Sequence, residues 1–203
     1  MGSKAALVAF VEEGFERVFR GPLVIDHVKS KRLAETVLGG AARETGPIPL
    51  DLAVWPDVGV VSAASFPGYE IVCSRELARN QPSELTDWVS RVAEGRRTYA
   101  VFMHSAEDWG AVAAWSENCL VRSLSLNPNS GIIEDFGERL AFESPFWEGR
   151  NLAPAPVVYN LPFHPIDFGN EALREFFGFI LEGREDESCI DPEEVEIPTF
   201  RLL

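Results

Sequence analysis

The chain has 203 residues, of which 46% are hydrophobic, and it contains 14 Phe and 5 Trp. This apolar content is enough for a packed core and excludes a disordered chain. The formal net charge of −14 disfavours binding to nucleic acid phosphates or anionic membranes, and it favours basic protein partners. We therefore expect a single globular domain over residues 1–203, with no nucleic acid and no membrane among its partners.

The cysteines and the apolar runs indicate the compartment. Cys73, Cys119 and Cys189 are too scattered for a disulfide framework or a zinc site. No apolar run reaches the roughly 18 residues that a membrane span needs, and the run before Glu12 does not resemble a secretory signal. We expect a cytoplasmic protein with no cofactor and no metal. No pattern in the sequence indicates an oligomeric state.

The first segment predicts a central strand followed by a helix. Lys4–Val11 is almost continuously apolar, which is typical of a strand buried on both faces. Asp26 is placed to cap a helix that runs to Leu38, and Gly39 ends it. Residues 41–48 are predicted to form a loop.

Three short strands and a helix are predicted next. Leu50–Trp55 alternates apolar and other residues, which indicates a half-buried strand. Gly59–Ser65 and Tyr69–Cys73 form a strand pair joined by a Pro-Gly turn. Ser83–Glu94 has apolar residues at helical spacing, namely Leu85, Trp88, Val89 and Val92.

Thr98–Trp147 is the stretch around which the chain is organised. Dense apolar runs alternate with turn formers at 116–118 and 127–131, a pattern that predicts an antiparallel meander. The expected fold is therefore α+β, with a mainly antiparallel sheet of about five to seven strands and helices packed on it.

The carboxyl-terminal part is predicted to be less regular. A proline-rich stretch after Trp147 should wrap the sheet, and Asn170–Glu182 should form a helix ended by Gly183. An acidic segment near 183–196 repels itself, so we expect it to be mobile. Pro198 should confine the last strand to an edge of the sheet.

Candidate catalytic residues are sparse. His104 and Asp108 follow a predicted strand, His164 lies in a proline-bounded turn, and the three together are the candidate site of a hydrolase. Hydrogen-bonded loop histidines are the alternative interpretation. Cys73 and Arg79 have the C-x5-R spacing of cysteine-dependent phosphatases, but no glycine lies between them, so we expect Cys73 to be a core thiol.

Candidate binding residues lie in the meander. Arg122 interrupts an apolar strand, and Glu134 or Asp135 on the next strand is its expected partner, as an ion pair or as part of a ligand site. Aromatic and acidic residues farther on form either an exposed recognition patch or a cap on the core. The binding candidates in this second group, with the earlier Trp109, are Glu143, Phe146 and Trp147.

Several of these segments resemble a known family. They are Met1–Leu7, His104-Ser105 with Asp108-Trp109, Leu120–Leu126, Gly131–Gly137 and Leu161–Pro165. Over essentially the whole chain, the sequence resembles an uncharacterised, mainly actinobacterial family, a domain of unknown function. The resemblance implies a single domain, and it brings no activity, cofactor or catalytic residue with it.

Two functions are weighed. The leading hypothesis is a non-catalytic binding or regulatory protein, immunity-like or antitoxin-like, that recognises a basic protein partner, because acidic surfaces speed association with basic ones. The alternative is a small hydrolase with its site near His104, Asp108 and His164. Whether the chain is an enzyme is left open, with binding favoured.

Overall fold

The computed structural model describes residues 2–14, 18–19, 23–151, 160–183 and 186–203. In this part of the chain, nine antiparallel strands form one sheet, more than the predicted five to seven. The strands are β1 (Lys4–Val11), β2 (Ala42–Pro49), β3 (Val61–Phe66), β4 (Tyr69–Cys73), β5 (Arg97–His104), β6 (Trp109–Ser116), β7 (Cys119–Asn127), β8 (Gly131–Gly137) and β9 (Glu196–Leu202).

The sheet order is β2-β9-β3-β4-β1-β5-β6-β7-β8, so β1 is the middle strand, as its apolar run predicts. The predicted meander is confirmed as the consecutive strands β5 to β8. The α+β class is confirmed as well. The helices of the described residues are α1 (His27–Leu38), α2 (Leu50–Ala53), α3 (Thr86–Val92), α4 (Ser144–Trp147) and α5 (Pro165–Phe177).

Each face of the sheet is covered by its own apolar core. Val101 and Met103 of β5 point into a cluster with Leu173 and Phe177 of α5, and we call this side the α5 face. The intervening residue Phe102 points to the opposite side. We call that side the α1/α3 face, because Leu33 of α1 and Val89 of α3 pack there with Phe102. Burial on both faces accounts for the apolar runs of the central strands.

Two predicted elements are wrong. The predicted loop at 41–48 is the edge strand β2, which pairs with β9, a strand about 150 positions farther along the chain. The predicted strand Leu50–Trp55 begins with the helical turn α2, because Leu50 and Ala53 are both buried at helical spacing. The backbone N–H of Leu50 donates to the carbonyl of Val195 at 2.8 Å, which ties this turn to the chain before β9.

The helix boundaries also differ from the prediction. Pro82–Leu85 forms a 3-10 turn before α3, which ends at Val92. The last helix begins at Pro165 and not at Asn170, because His164 Nδ1 accepts from the Ile166 N–H at 3.2 Å. It ends at Phe177 and is capped by Gly178, whose φ of 76° suits glycine, and not by Gly183.

Pro198 lies in an interior strand, contrary to the prediction of an edge. β9 pairs with β2 along its length, but with β3 only at Thr199 and Phe200. Pro198 therefore lies just outside the two-sided part of the ladder, where its missing N–H removes no bond to β3.

The carboxyl-terminal acidic segment is partly described. Asp191 caps a 3-10 turn at Pro192–Glu194, and the predicted mobility of 183–196 stays a prediction because residues 184–185 lie outside the described ranges. The proline-rich stretch after Trp147 falls largely on residues 152–159, which also lie outside them. None of the described helices is long and apolar enough to cross a membrane.

Candidate functional site

His104 ends β5 on the α1/α3 face. Its ring contacts Trp55 edge to face, with ring centres 5.4 Å apart. Its Nδ1 atom is buried and has no hydrogen-bond partner among the described residues. A general base is normally oriented by a third group bonded to its other ring nitrogen. His104 lacks that group in this part of the chain.

Asp108 and His164 form a separate pair. Asp108 follows the 3-10 turn Ser105–Glu107, and its Oδ1 lies 3.8 Å from His164 Nε2. The other nitrogen of His164 accepts the Ile166 N–H and caps α5. Since α5 packs on the α5 face, His164 and His104 belong to opposite faces of the sheet. The structure therefore brings Asp108 to His164 and does not bring His104 to them.

Arg122 lies at the centre of a buried polar cluster. Its side chain is fully buried, and its Nε and Nη2 donate to the two carboxylate oxygens of Glu143, each at 2.8 Å. Its Nη1 donates to Asp135 at 2.5 Å and to the carbonyl of Phe136 at 2.9 Å. Burial lowers the pKa of the Arg122 guanidinium, but the bonds and charges of Glu143 and Asp135 outweigh burial and raise it.

This cluster confirms one predicted partner and adds another. Asp135 is the expected neighbour of Arg122, whereas Glu134 binds the hydroxyls of Ser83 and Ser123. Glu143 was a binding candidate within either an exposed patch or a cap on the core, and the structure shows it fully buried. The only sequence signal for its role is that a buried arginine needs all of its donors satisfied.

Glu143 also accepts hydrogen bonds from two residues of the chain that follows β8. Its carboxylate accepts the Leu140 N–H at 3.0 Å and the Trp147 indole N–H at 3.2 Å. Arg139 lies over the Trp147 ring, 3.9 Å from its centre. The three guanidinium nitrogens of Arg122 and both carboxylate oxygens of Glu143 are bonded within the protein, so we call Arg122, Asp135, Glu143 and Trp147 a structural clasp.

The predicted aromatic binding residues are mostly core. Phe146 is 2% exposed and contacts Phe163 and Phe168, so it caps the core and forms no exposed patch. Trp109 is 5% exposed, and its indole N–H donates to Ser125 at 3.0 Å. Trp147 is half-buried in the clasp. Burial therefore removes Phe146 from the protein surface.

Asp135, on strand β8, is the residue of the clasp that remains partly exposed to solvent. β8 is the last strand of the sheet, so no described strand pairs with the outer side of its backbone. Ile132 is 46% exposed and Phe136 is 52% exposed. Asp135 retains 37% side-chain exposure beside them. The outer side of β8 therefore combines the absence of a described neighbouring strand with exposed apolar and acidic side chains.

The negative charge at this edge exceeds the positive charge. Among the described residues, Arg122 is the one cation that pairs with Asp135 and Glu143, and it neutralises one of these two carboxylates. Glu134 forms no ion pair with any described residue and accepts only from the Ser83 N–H and from hydroxyls. The β8 edge thus keeps a local excess of negative charge.

A metal site and a nucleophilic cysteine have little support in the described residues. No group of three or more His, Cys, Asp or Glu side chains in that part of the chain is arranged to hold a metal ion. Cys73 is fully buried, and burial raises the pKa of its thiol, which is the opposite of what a nucleophilic thiolate requires. Cys73 is therefore a core residue.

Comparison with known proteins places the chain in a family. No curated protein and no solved structure matches it. A family model described as "Family of unknown function (DUF6928)" matches residues 5–200, which includes every strand except the ends of β1 and β9. The chain belongs to this family, DUF6928.

Proposed function

We propose that this protein is a non-catalytic binding or regulatory protein, immunity-like or antitoxin-like, that recognises a basic protein partner by strand addition at β8. In this mode an extended segment of the partner continues the sheet, main-chain hydrogen bonds supply affinity, and side-chain contacts supply specificity. The observation that carries the proposal is the difference between the two edges of the sheet.

The edge at β2 is protected against strand addition. Pro47 and Pro49 lack N–H donors, and the β2 ladder shifts its register between Glu44 and Gly46. Proline and bulges are the usual devices that blunt an exposed edge. The ladder of β8 with β7 also shifts its register, between Ser125 and Leu126, so the two edges differ in proline and not in bulges. β8 contains no proline, and two of its apolar side chains are about half exposed. An edge without proline keeps its N–H donors and is open to pairing.

The charge of the edge selects the partner. Glu134 and the unneutralised carboxylate of the Arg122 cluster favour Lys or Arg on the added strand, since opposite charges in cross-strand pairs stabilise a sheet. The net charge of −14 acts at longer range and accelerates the approach of a basic protein. A partner strand with alternating basic and apolar residues fits both properties.

The proposal extends to the cellular compartment of the protein and to the organisms in which its family occurs. The three cysteines are free, and Cys119 is exposed. An exposed free thiol fits a reducing compartment, which supports the cytoplasm as the place of action. The resemblance noted from the sequence supports a mainly actinobacterial family.

The test compares two lysine substitutions at equally exposed apolar residues. Phe136 is 52% exposed on β8. Leu52 is 54% exposed on α2, which contacts β2 and β9 at the opposite end of the sheet. Wild type, Phe136→Lys and Leu52→Lys serve as baits for affinity capture from native cell extract. We expect wild type and Leu52→Lys to capture the same basic protein, and Phe136→Lys to lose it.

The captured protein must then bind in purified form with the same ranking of variants. A partner retained equally by Phe136→Lys, or a partner without basic character, would exclude the β8 edge as the recognition site.

A further inference from the structure

A cavity of about 490 Å³ lies on the α1/α3 face beside the turn that joins β5 to β6. Its volume is in the range of small-molecule sites, roughly 300–1,000 Å³. It lies apart from the β8 edge and shares no residue with the Arg122 cluster. Three rings and three charged side chains line it, namely Trp55, His104, Trp109, Arg79, Glu84 and Glu107.

The rings of the cavity are held in fixed positions. Trp109 donates its indole N–H to Ser125 and stacks on Phe102, with ring planes 13° apart. Trp55 and His104 meet edge to face at 64°. Side chains that are already ordered lose little entropy when a ligand binds, so these walls are preorganised.

The charge of the cavity is negative. The Nε atom of Arg79 lies 4.0 Å from Oε2 of Glu84. Its Nη1 donates to the backbone carbonyls of Glu76 at 2.5 Å and Ala78 at 3.1 Å. Glu107 is exposed and forms no ion pair with any described residue. One of the two carboxylates is therefore without a cation.

One tryptophan of the cavity already contacts a cation. The guanidinium carbon of Arg75 lies 5.3 Å from the centre of the Trp55 ring. Tryptophan is the aromatic residue that attracts cations most strongly, and guanidinium groups stack on it readily. The same ring lines the cavity, where an unpaired carboxylate supplies a second source of attraction.

We propose that this cavity binds a small organic cation, a guanidinium or alkylammonium group, against the rings of Trp55 and Trp109 with Glu107 as the counter-charge. The cation comes either from a free small molecule or from an arginine or lysine side chain of a bound peptide. Both sources present the same chemistry to the site.

The primary experiment compares two probes of equal shape. Ethylguanidinium carries the charge, and N-ethylurea is its neutral counterpart. Both are titrated well below denaturing concentrations into the full chain while the indole N–H signals of the tryptophans are followed by NMR. We expect shifts at Trp55 and Trp109, with ethylguanidinium bound about tenfold more tightly than N-ethylurea.

Two charge-neutralising variants locate the site. Glu107→Gln keeps the size of the side chain and should weaken ethylguanidinium binding severalfold. Glu117→Gln removes the same charge from the exposed turn between β6 and β7 and should leave binding unchanged. Both residues are exposed, so neither substitution threatens folding.

A third probe distinguishes the two sources. An acetylated and amidated pentapeptide, with one arginine between two pairs of alanines, is compared with ethylguanidinium. Peptide binding at least about tenfold tighter assigns the site to a protein side chain, and equal binding assigns it to a free small cation. Equal binding of ethylguanidinium and N-ethylurea, or equal affinity in the two glutamine variants, would overturn the proposal.

Discussion

The guanidinium of Arg122 and the carboxylate of Glu143 are both fully buried and joined by two hydrogen bonds of 2.8 Å. This pair connects β7 to the 3-10 turn Ala141–Glu143, which follows the edge strand β8. A bidentate pair is the strongest geometry available to arginine and a carboxylate. The pair fixes the position of the chain that leaves the proposed binding edge.

Removing Arg122 should destabilise the protein strongly. Arg122→Met leaves the buried Glu143 without its cation, which should lower the free energy of unfolding by about 3 kcal/mol. The measurement is urea unfolding at neutral pH. Arg150→Met is the control, because Arg150 pairs with Glu148 at the exposed surface, and its substitution should change stability by less than about 0.5 kcal/mol.

A double variant tests the cause of that loss. Glu143→Gln keeps an acceptor for the Leu140 N–H and removes the charge. The double variant with Arg122→Met should lose less free energy of unfolding than the two single variants together. The difference should be about 1–3 kcal/mol. Additive losses would show that the charge left unpaired is not the reason for the effect.

The three thiols should react with iodoacetamide in the order of their exposure. Cys119 is exposed and should react first. Cys189 is half-buried, and burial with the charge of Asp186 raises its pKa, so it should react more slowly at pH 8. Cys73 should react only after unfolding. Rapid labelling of Cys73 in the folded protein, read by mass spectrometry, would contradict its place in the core.

Stability should fall at alkaline pH. Burial raises the pKa of Cys73, and it raises the pKa of Tyr69 despite an opposing backbone hydrogen bond. Above about pH 8.5, where an ordinary thiol ionises, the unfolded chain binds fewer protons than the folded one. The free energy of unfolding therefore decreases as pH rises, and the full stability is present below that pH. Cys73→Ala should flatten the decrease, and a stability that rises between pH 8.5 and 10 would be inconsistent with these shifts.

The acidic residues just before β9 and at its first position should control the rate of association with the captured partner. Glu193, Glu194 and Glu196 are exposed, and their replacement by glutamine should slow association while dissociation changes little. The difference in association rate between wild type and the glutamine variant should vanish at 1 M salt, where the Debye length is about 3 Å. Surface plasmon resonance gives both rates. Much faster dissociation with unchanged association would instead place this segment in the contact.

The strands of the fold were predictable where burial dominates. β1 and the meander β5 to β8 have dense apolar runs separated by turn formers, and both were recognised. β2 was missed because it is an exposed edge strand with two prolines and a bulge, and it is defined by its pairing with the distant β9. α2 was missed because a single helical turn has too few residues to show a period.

Only one of the two acidic partners of Arg122 is predictable from the sequence. A buried arginine in an apolar strand predicts an acid on the adjacent strand, and Asp135 is there. Glu143 approaches from beyond β8, and no sequence spacing encodes that approach. His104 and His164 were grouped by residue type, but the alternation along β5 and the packing of α5 place them on opposite faces of the sheet.

The most direct test of strand addition at β8 is amide hydrogen exchange of this protein alone and in complex with the captured partner. New main-chain hydrogen bonds slow the exchange of the amides that form them. The proposal predicts slower exchange within 131–137 on binding, unchanged exchange at the blocked edge β2, and no slowing in Phe136→Lys. A complex in which the amides of β8 exchange as fast as in the free protein would contradict it.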